Sequence, residues 1–172
     1  ILIMNNLIDI VNQKLDEYLQ ITYPEDIFKS MKYTLMLPGK RLRPIMCLET
    51  VRMVGGDIEK AMPVACAIEM LHVQSLIHDD LPAMDNDDYR RGMLTTHKKY
   101  GHAMGILAGD ALLNFAFETA ADAVYDATDV NKAARALKVL GKKAGAYGMI
   151  GGQVVDVNSS GSKVTKEELD FI

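Results

Sequence analysis

An all-α helical bundle is the fold class this sequence predicts, and three observations predict it. Apolar residues recur at three- and four-residue spacing over long stretches, as one face of a helix requires. No stretch alternates apolar and polar residues as a half-buried strand would. Proline and glycine punctuate the ends of the periodic stretches, at Pro38-Gly39, Gly55-Gly56 and Pro82.

The elements follow in order. Leu7, Ile8, Ile10, Val11, Leu15, Tyr18 and Leu19 define a first helix. A second runs over residues 24–37 and stops at Pro38-Gly39. The third starts near Pro44, a proline suited to a first turn, and ends by Gly55-Gly56. The fourth, residues 58–80, is apolar on nearly all sides and so belongs in the core until Pro82 breaks it. Residues 103–125 read as an interior helix. Residues 131–157 carry five glycines, each costing a helix about 1 kcal/mol against alanine. Tight packing or close ligand approach explains that price, or the segment is a loop-broken pair of shorter helices. Residues 158–162 read as a loop, and Thr165-Lys166-Glu167-Glu168 is a capping box that opens a last helix. Only four residues follow it, so the chain is expected to be part of a longer one.

With 172 residues, 49% of them hydrophobic, the chain can bury one substantial core, and a single domain over residues 1–172 is expected. Nineteen basic against 23 acidic residues give a net charge of −4, with no cationic block to track a nucleic-acid backbone, so no nucleic-acid partner is expected. Cys47 and Cys66 lie among apolar residues without ligand spacing and read as small core hydrophobes, which fits a cytoplasmic location. No apolar run has the length of a membrane span, and the first four residues lack the basic region of a signal peptide.

Residues 78–92 gather five carboxylates and two guanidinium groups. Carboxylates at that density repel one another unless a divalent cation sits among them, and hard oxygen ligands suit Mg²⁺, which completes its shell with water and phosphate. The alternative is a solvated acidic loop. Asp79 and Asp80 end the fourth helix, and the Pro82 break must swing Asp85 back for it to share a metal with Asp79. Pro38-Gly39-Lys40-Arg41-Leu42-Arg43-Pro44 sets three cations at a helix mouth, a diphosphate clamp or an ordinary basic turn. Gln153 and Asp156 share a helix face three residues apart and need polar partners. His72 shares a face with Ser75 and Asp79, which favours a ligand-facing role, whereas His78, His97 and His102 read as structural or surface residues.

Four motifs in order and spacing, GKRLRP at 39–44, EMLHVQSLIHDDLPAMDNDDYRRG at 69–92, LAGDALL at 107–113 and GMIGGQVVD at 148–156, resemble the trans-isoprenyl diphosphate synthases, the all-helical family that makes farnesyl and geranylgeranyl diphosphates. The resemblance implies the helical bundle of that family, of the bacterial farnesyl/geranylgeranyl type, and homodimers paired through a central helix. It implies Mg²⁺ held by Asp79 and Asp85, with Asp80, Arg90, Gln153 and Asp156 also at the reacting centre. Gly39, Lys40, Arg43, His72 and Arg91 would hold isopentenyl diphosphate, and Arg90 the allylic diphosphate, dimethylallyl or geranyl. The reaction implied is ionisation of the allylic diphosphate, attack of the isopentenyl double bond, and loss of a proton. Gln74, about 7.5 Å before Asp79 along the helix, falls where a growing chain meets the pocket wall. Family members that stop at fifteen carbons commonly place an aromatic ring there and those that reach twenty a smaller side chain; Gln74 is neither, so a mixture of fifteen- and twenty-carbon products is expected.

Met93-Leu94 replaces the Lys-Pro usual in the family, removing a charge and a rigid turn, and a looser loop is expected. The family's second aspartate-rich motif falls beyond Ile172, so these 172 residues are expected to be the N-terminal portion of the domain and inactive alone. Two other readings are a terpene cyclase, against which the isopentenyl clamp speaks, and a non-catalytic partner subunit.

Overall fold

A computed structural model describes residues 2–159 and 164–171, with side chains from residue 6 onward. The chain divides into two compact units, Ile1–Asp126 and Ala127–Ile172.

The first unit contains α1 (Leu2–Tyr18), α2 (Glu25–Leu35), α3 (Leu42–Met53), α4 (Ile58–Asp79), β1 (Tyr89–Arg90), β2 (Met93–Leu94), α5 (Thr96–Tyr100) and α6 (His102–Tyr125). Its spine is α4 against α6, the most extensive pairing between any two elements. Small residues make that approach possible: Gly105, Ala108, Gly109, Ala116 and Ala120 form the buried stripe of α6, and Ala65, Cys66 and Ala67 are buried on α4. Around the spine, Leu15, Leu35, Leu48, Met62, Met70, Ile77 and Leu112 are almost wholly removed from water, each contributing about 1.5–3 kcal/mol relative to exposure. Asp57 caps α4 by accepting from the Glu59 N–H at 2.9 Å. Pro63, inside α4, removes one backbone hydrogen bond without ending the helix.

Three local expectations change. Helix α3 begins at Leu42, so Pro44 stands third in the helix, still within the turn whose N–H groups lack intrahelical acceptors. A two-stranded antiparallel pairing, Tyr89 with Leu94 and Arg90 with Met93, lies where no strand was expected. Its turn residues, Arg91 and Gly92, have φ of 53° and 78°, the left-handed pair demanded by a two-residue hairpin turn that matches strand twist. Third, the short helix α5 packs against α6 and α2. Thr34 and Thr96 hydroxyls meet at 2.5 Å, and the Tyr33 hydroxyl donates to the Leu94 carbonyl at 2.9 Å.

His97 on α5 is 2% exposed. The Thr95 hydroxyl donates to the Asp87 carbonyl at 2.9 Å, so His97 Nδ1–H donates to the Thr95 oxygen at 3.1 Å. Nε2 is then the unprotonated nitrogen, buried and without a partner among the described residues. Burial first, then His102 and Lys98, holds the His97 pKa below its usual 6.5. The unfolded chain therefore binds this proton more readily, and the stability His97 gives is present above its unfolded pKa and lost as pH falls below it. Urea midpoints taken at about pH 7.5 and about pH 5.5 are expected to fall with acidity, and His97→Gln to flatten that dependence. An unchanged slope in the variant would assign the effect elsewhere.

The second unit contains α7 (Val130–Ala144), α8 (Met149–Ser159) and α9 (Lys166–Phe171). The glycine-rich stretch is thus the pair of shorter helices. A Cβ at Gly148 would lie 2.0 Å from the Lys143 carbonyl oxygen, and one at Gly151 2.1 Å from that of Ala146, so these glycines let the connection fold back on the end of α7. Helix α8 continues through Asn158 and Ser159, and the rest of the expected loop, 160–162, lies outside the described residues. The capping box forms reciprocally: Thr165 N–H donates to Glu168 at 2.7 Å, and Glu168 N–H to the Thr165 hydroxyl at 3.2 Å. Among the described residues no helix is long and apolar enough to cross a membrane. Cys47 and Cys66 are free thiols, and burial pushes that of Cys66 up to about 12.

Candidate functional site

The C-terminal end of α4 builds the acidic part of the site. After Asp79 the chain turns sharply through Leu81 and Pro82, and the Asp85 N–H donates back to the Asp79 carbonyl at 2.8 Å. The Asp87 N–H does the same to Asp80 at 3.2 Å, with Asn86 left-handed at φ 56°. Asp85 is thereby returned to Asp79. Burial, and next the Asp85 charge, raise the Asp79 pKa above the usual carboxylate value. Among the described residues no group of three or more Asp, Glu, His or Cys side chains converges as metal ligands do. A half-buried carboxylate with a second one beside it suits a hard divalent cation that draws its remaining ligands from water and phosphate.

Asp80 takes a different direction from Asp79. Its carboxylate is 1% exposed and grips Arg90, with Nε at 2.8 and 2.9 Å from its two oxygens and Nη2 at 2.6 Å from one. That is a charge-assisted, forked pair. Asp80 thereby fixes the orientation of the Arg90 guanidinium.

The hairpin sends the consecutive arginines to different places. Arg90, in β1, faces Asp80, whereas Arg91, at the left-handed turn position, reaches back to the end of α2. There its Nη1 donates to the carbonyls of Leu37 at 3.2 Å and Pro38 at 3.0 Å. Its guanidinium lies against Gly39, where a Cβ would come 2.5 Å from Nη1. Leu94 needs no proline to close the loop. Tyr89 with Leu94 is the non-hydrogen-bonded pair, between Arg90 with Met93 and the Thr95 N–H donating to Asp88 at 3.0 Å.

Gly39, Lys40, Arg43, His72 and Arg91 line one cavity of about 390 Å³, together with Pro38, Arg41, Leu42 and Glu69. Lys40 and Arg43 are exposed on either side of Arg41. Burial, then Arg43, depresses the His72 pKa, so its ring is neutral near neutrality and offers one donor and one acceptor. Ser75 turns away, donating to the His72 carbonyl at 2.8 Å.

Of the three cations expected at this helix mouth, Lys40 and Arg43 are exposed and Arg41 is not. Arg41 is 2% exposed and points inward to Glu69, also 2% exposed, with Nη1 to Oε1 at 2.9 Å. A signal for this pair was available: Glu69 is a charge within an apolar helix, which burial tolerates only with a partner.

Gln74 is 7% exposed, and its amide nitrogen lies 3.1 Å from His78 Nδ1. His78 Nε2 lies 3.2 Å from the Ile106 carbonyl, so Nε2 carries the proton and Nδ1 accepts from Gln74. A Cβ at Gly109 would fall 2.0 Å from that Nε2. His78, expected to be structural or superficial, is the partner that fixes the Gln74 amide. His102 is exposed and meets His97 edge-on at 5.5 Å between ring centroids. Gln153, half-buried, and Asp156, exposed, stand on α8 in the second unit.

A family model described as polyprenyl synthetase matches residues 24–172. A dimethylallyltranstransferase of Fischerella ambigua is 53% identical over 152 residues, covering 87% of this chain and 43% of that protein. The heterodimeric geranylgeranyl pyrophosphate synthase large subunit 1 of Arabidopsis thaliana is 47% identical over 168 residues, covering 95% and 45%. The chain thus spans less than half the length of these curated relatives. An FPP/GFPP synthase of Zymomonas mobilis superposes with a TM-score of 0.88 at 36% identity, covering 94% of this chain and 59% of that one.

Proposed function

Since the chain belongs to the polyprenyl synthetase family, we propose that it carries the substrate sites of a short-chain trans-prenyltransferase, which joins isopentenyl diphosphate to a dimethylallyl or geranyl diphosphate. The observation that carries this reading is the cavity where Gly39, Lys40, Arg43, His72 and Arg91 meet. Its cations match a diphosphate, and neutral His72 adds a hydrogen bond without adding charge.

In the reaction the allylic carbon–oxygen bond breaks to release diphosphate, the isopentenyl double bond attacks the allylic carbon, and the adduct loses a proton. Arg90, aimed by Asp80, faces the charge that grows on the leaving group, where a preorganised donor acts most strongly. The isopentenyl diphosphate stays clamped by Lys40, Arg43 and Arg91 and is not itself ionised. Asp79 and Asp85 would hold Mg²⁺, which supplies Lewis-acid stabilisation of the departing diphosphate. For Gln153 and Asp156 on α8, a role in the reaction is supported by the family motif they occupy.

The half-exposed Ile106 and Leu107 on α6 support a homodimer paired through that helix, and two free thiols support a cytoplasmic location. The reading is tested by calorimetry with inorganic pyrophosphate, which is expected to bind the chain and to bind about tenfold or more weakly to Lys40→Ala and Arg91→Ala. Equal binding by both variants would refute the clamp.

Gln74, held by His78, is the partial floor of the hydrocarbon pocket. In the full-length enzyme Gln74→Phe is expected to shift products towards fifteen carbons. Gly109→Ala, which displaces the His78 ring and frees the amide to fold aside, is expected to shift them towards twenty. Chromatograms unchanged in both variants would place length control elsewhere.

A further inference from the structure

We propose that Arg41 and Glu69 are positioning residues for the diphosphate clamp, a pair that fixes the platform from which Lys40, Arg43 and Arg91 act. The inference rests on the reading of that cavity as a diphosphate site.

The chain accepts two unfavourable features at Arg41. Its backbone is left-handed, φ 47°, a conformation that glycine would adopt without strain. Its charge is buried against a buried carboxylate, an arrangement that apolar side chains of similar volume usually match in stability. Geometry accounts for both. Arg41 Nε donates to the Asn12 side-chain oxygen of α1 at 2.8 Å, Nη1 to Glu69 of α4 at 2.9 Å, and Nη2 to the carbonyls of Leu35 at 2.8 Å and Leu37 at 3.2 Å at the end of α2. One guanidinium joins three helices at the root of the Pro38-Gly39-Lys40 turn.

The Leu37 carbonyl is the link to the ligand. It accepts from Arg41 and also from Arg91 Nη1, each at 3.2 Å. The oxygen that orients a clamp residue is thus itself held by the buried pair. Because Arg41 is turned inward and left-handed, the backbone emerges with Lys40 before it and Arg43 after it exposed on the cavity wall. Loss of the pair frees the α2 terminus, and the three cations then meet their anion from a less ordered start.

The test compares the parent chain, Arg41→Lys, and the double variant Arg41→Met/Glu69→Leu, with inorganic pyrophosphate as the calorimetric probe. The double variant removes both charges and is expected to unfold cooperatively near the parent's urea midpoint, yet bind pyrophosphate at least about fivefold more weakly. Arg41→Lys keeps the charge opposite Glu69 but has no fork for the two carbonyls, and is expected to shift binding in the same direction. In turnover by the full-length enzyme the change is expected in KM for isopentenyl diphosphate, with kcat retained. Folded variants that bind within about twofold of the parent would overturn the proposal. If the double variant fails to fold, Arg41→Lys decides alone, and loss of cooperative unfolding in both would make the pair purely structural and overturn it too. A parent chain that binds no pyrophosphate, or binds it undiminished in both Lys40→Ala and Arg91→Ala, would instead fail the clamp reading and take this inference with it.

Discussion

Asp80→Asn is expected to lower the rate of allylic condensation about 10²-fold, close to the loss from Arg90→Ala, although Asp80 is too buried to touch a substrate. The carboxylate accepts three contacts of 2.9 Å or less from one guanidinium. An amide offers a single acceptor oxygen and no charge, so Arg90 would lose its aim while remaining present. Initial rates of the two single variants and of the double in the full-length enzyme check this. The double is expected to be no slower than Arg90→Ala, because both changes remove one interaction. Additive losses would mean that Asp80 acts independently of Arg90.

Glu69→Ala is expected to destabilise the fold by about 3–5 kcal/mol, since it strands the Arg41 guanidinium without a counter-charge where both groups are 2% exposed. Against a typical domain stability of about 5–15 kcal/mol, that loss brings the chain near its folding threshold. Urea denaturation measures it. Removing both partners together should restore most of the loss, as an empty apolar contact replaces an unpaired charge. A Glu69→Ala variant within about 1 kcal/mol of the parent would show that water reaches and solvates Arg41.

The helices α1 to α4 and α6 were legible because each is long enough to repeat its apolar spacing several times. The hairpin was not: strands of two residues cannot display alternation, and its only local signal was Gly92 after a polar residue. Helix α5, with five residues, has the same difficulty. At the site, spacing identified Asp79, Asp80, Arg90 and Arg91 as a group but could not say which of two adjacent charges turns inward. That choice is made by tertiary partners, Arg90 for Asp80 and Glu69 for Arg41. The pairing of Gln74 with His78 was not legible, because the His78 tautomer that accepts from the amide is set by the distant Ile106 carbonyl.

The hairpin at 89–94 also sets what kinds of sequence change this loop can absorb. Side-chain identity at 93 and 94 is free to drift, because both side chains point to solvent and neither supplies the turn, and Met93-Leu94 is one outcome of that freedom. Loop length is not free. One inserted or deleted residue would invert the strand register and exchange the directions of two adjacent arginines, pulling Arg90 off Asp80 and Arg91 off the Leu37 and Pro38 carbonyls in a single event. Homologous loops should therefore vary by substitution and never by indel, and a library that varies length here should yield no functional clones, while one that randomises 93 and 94 should yield many.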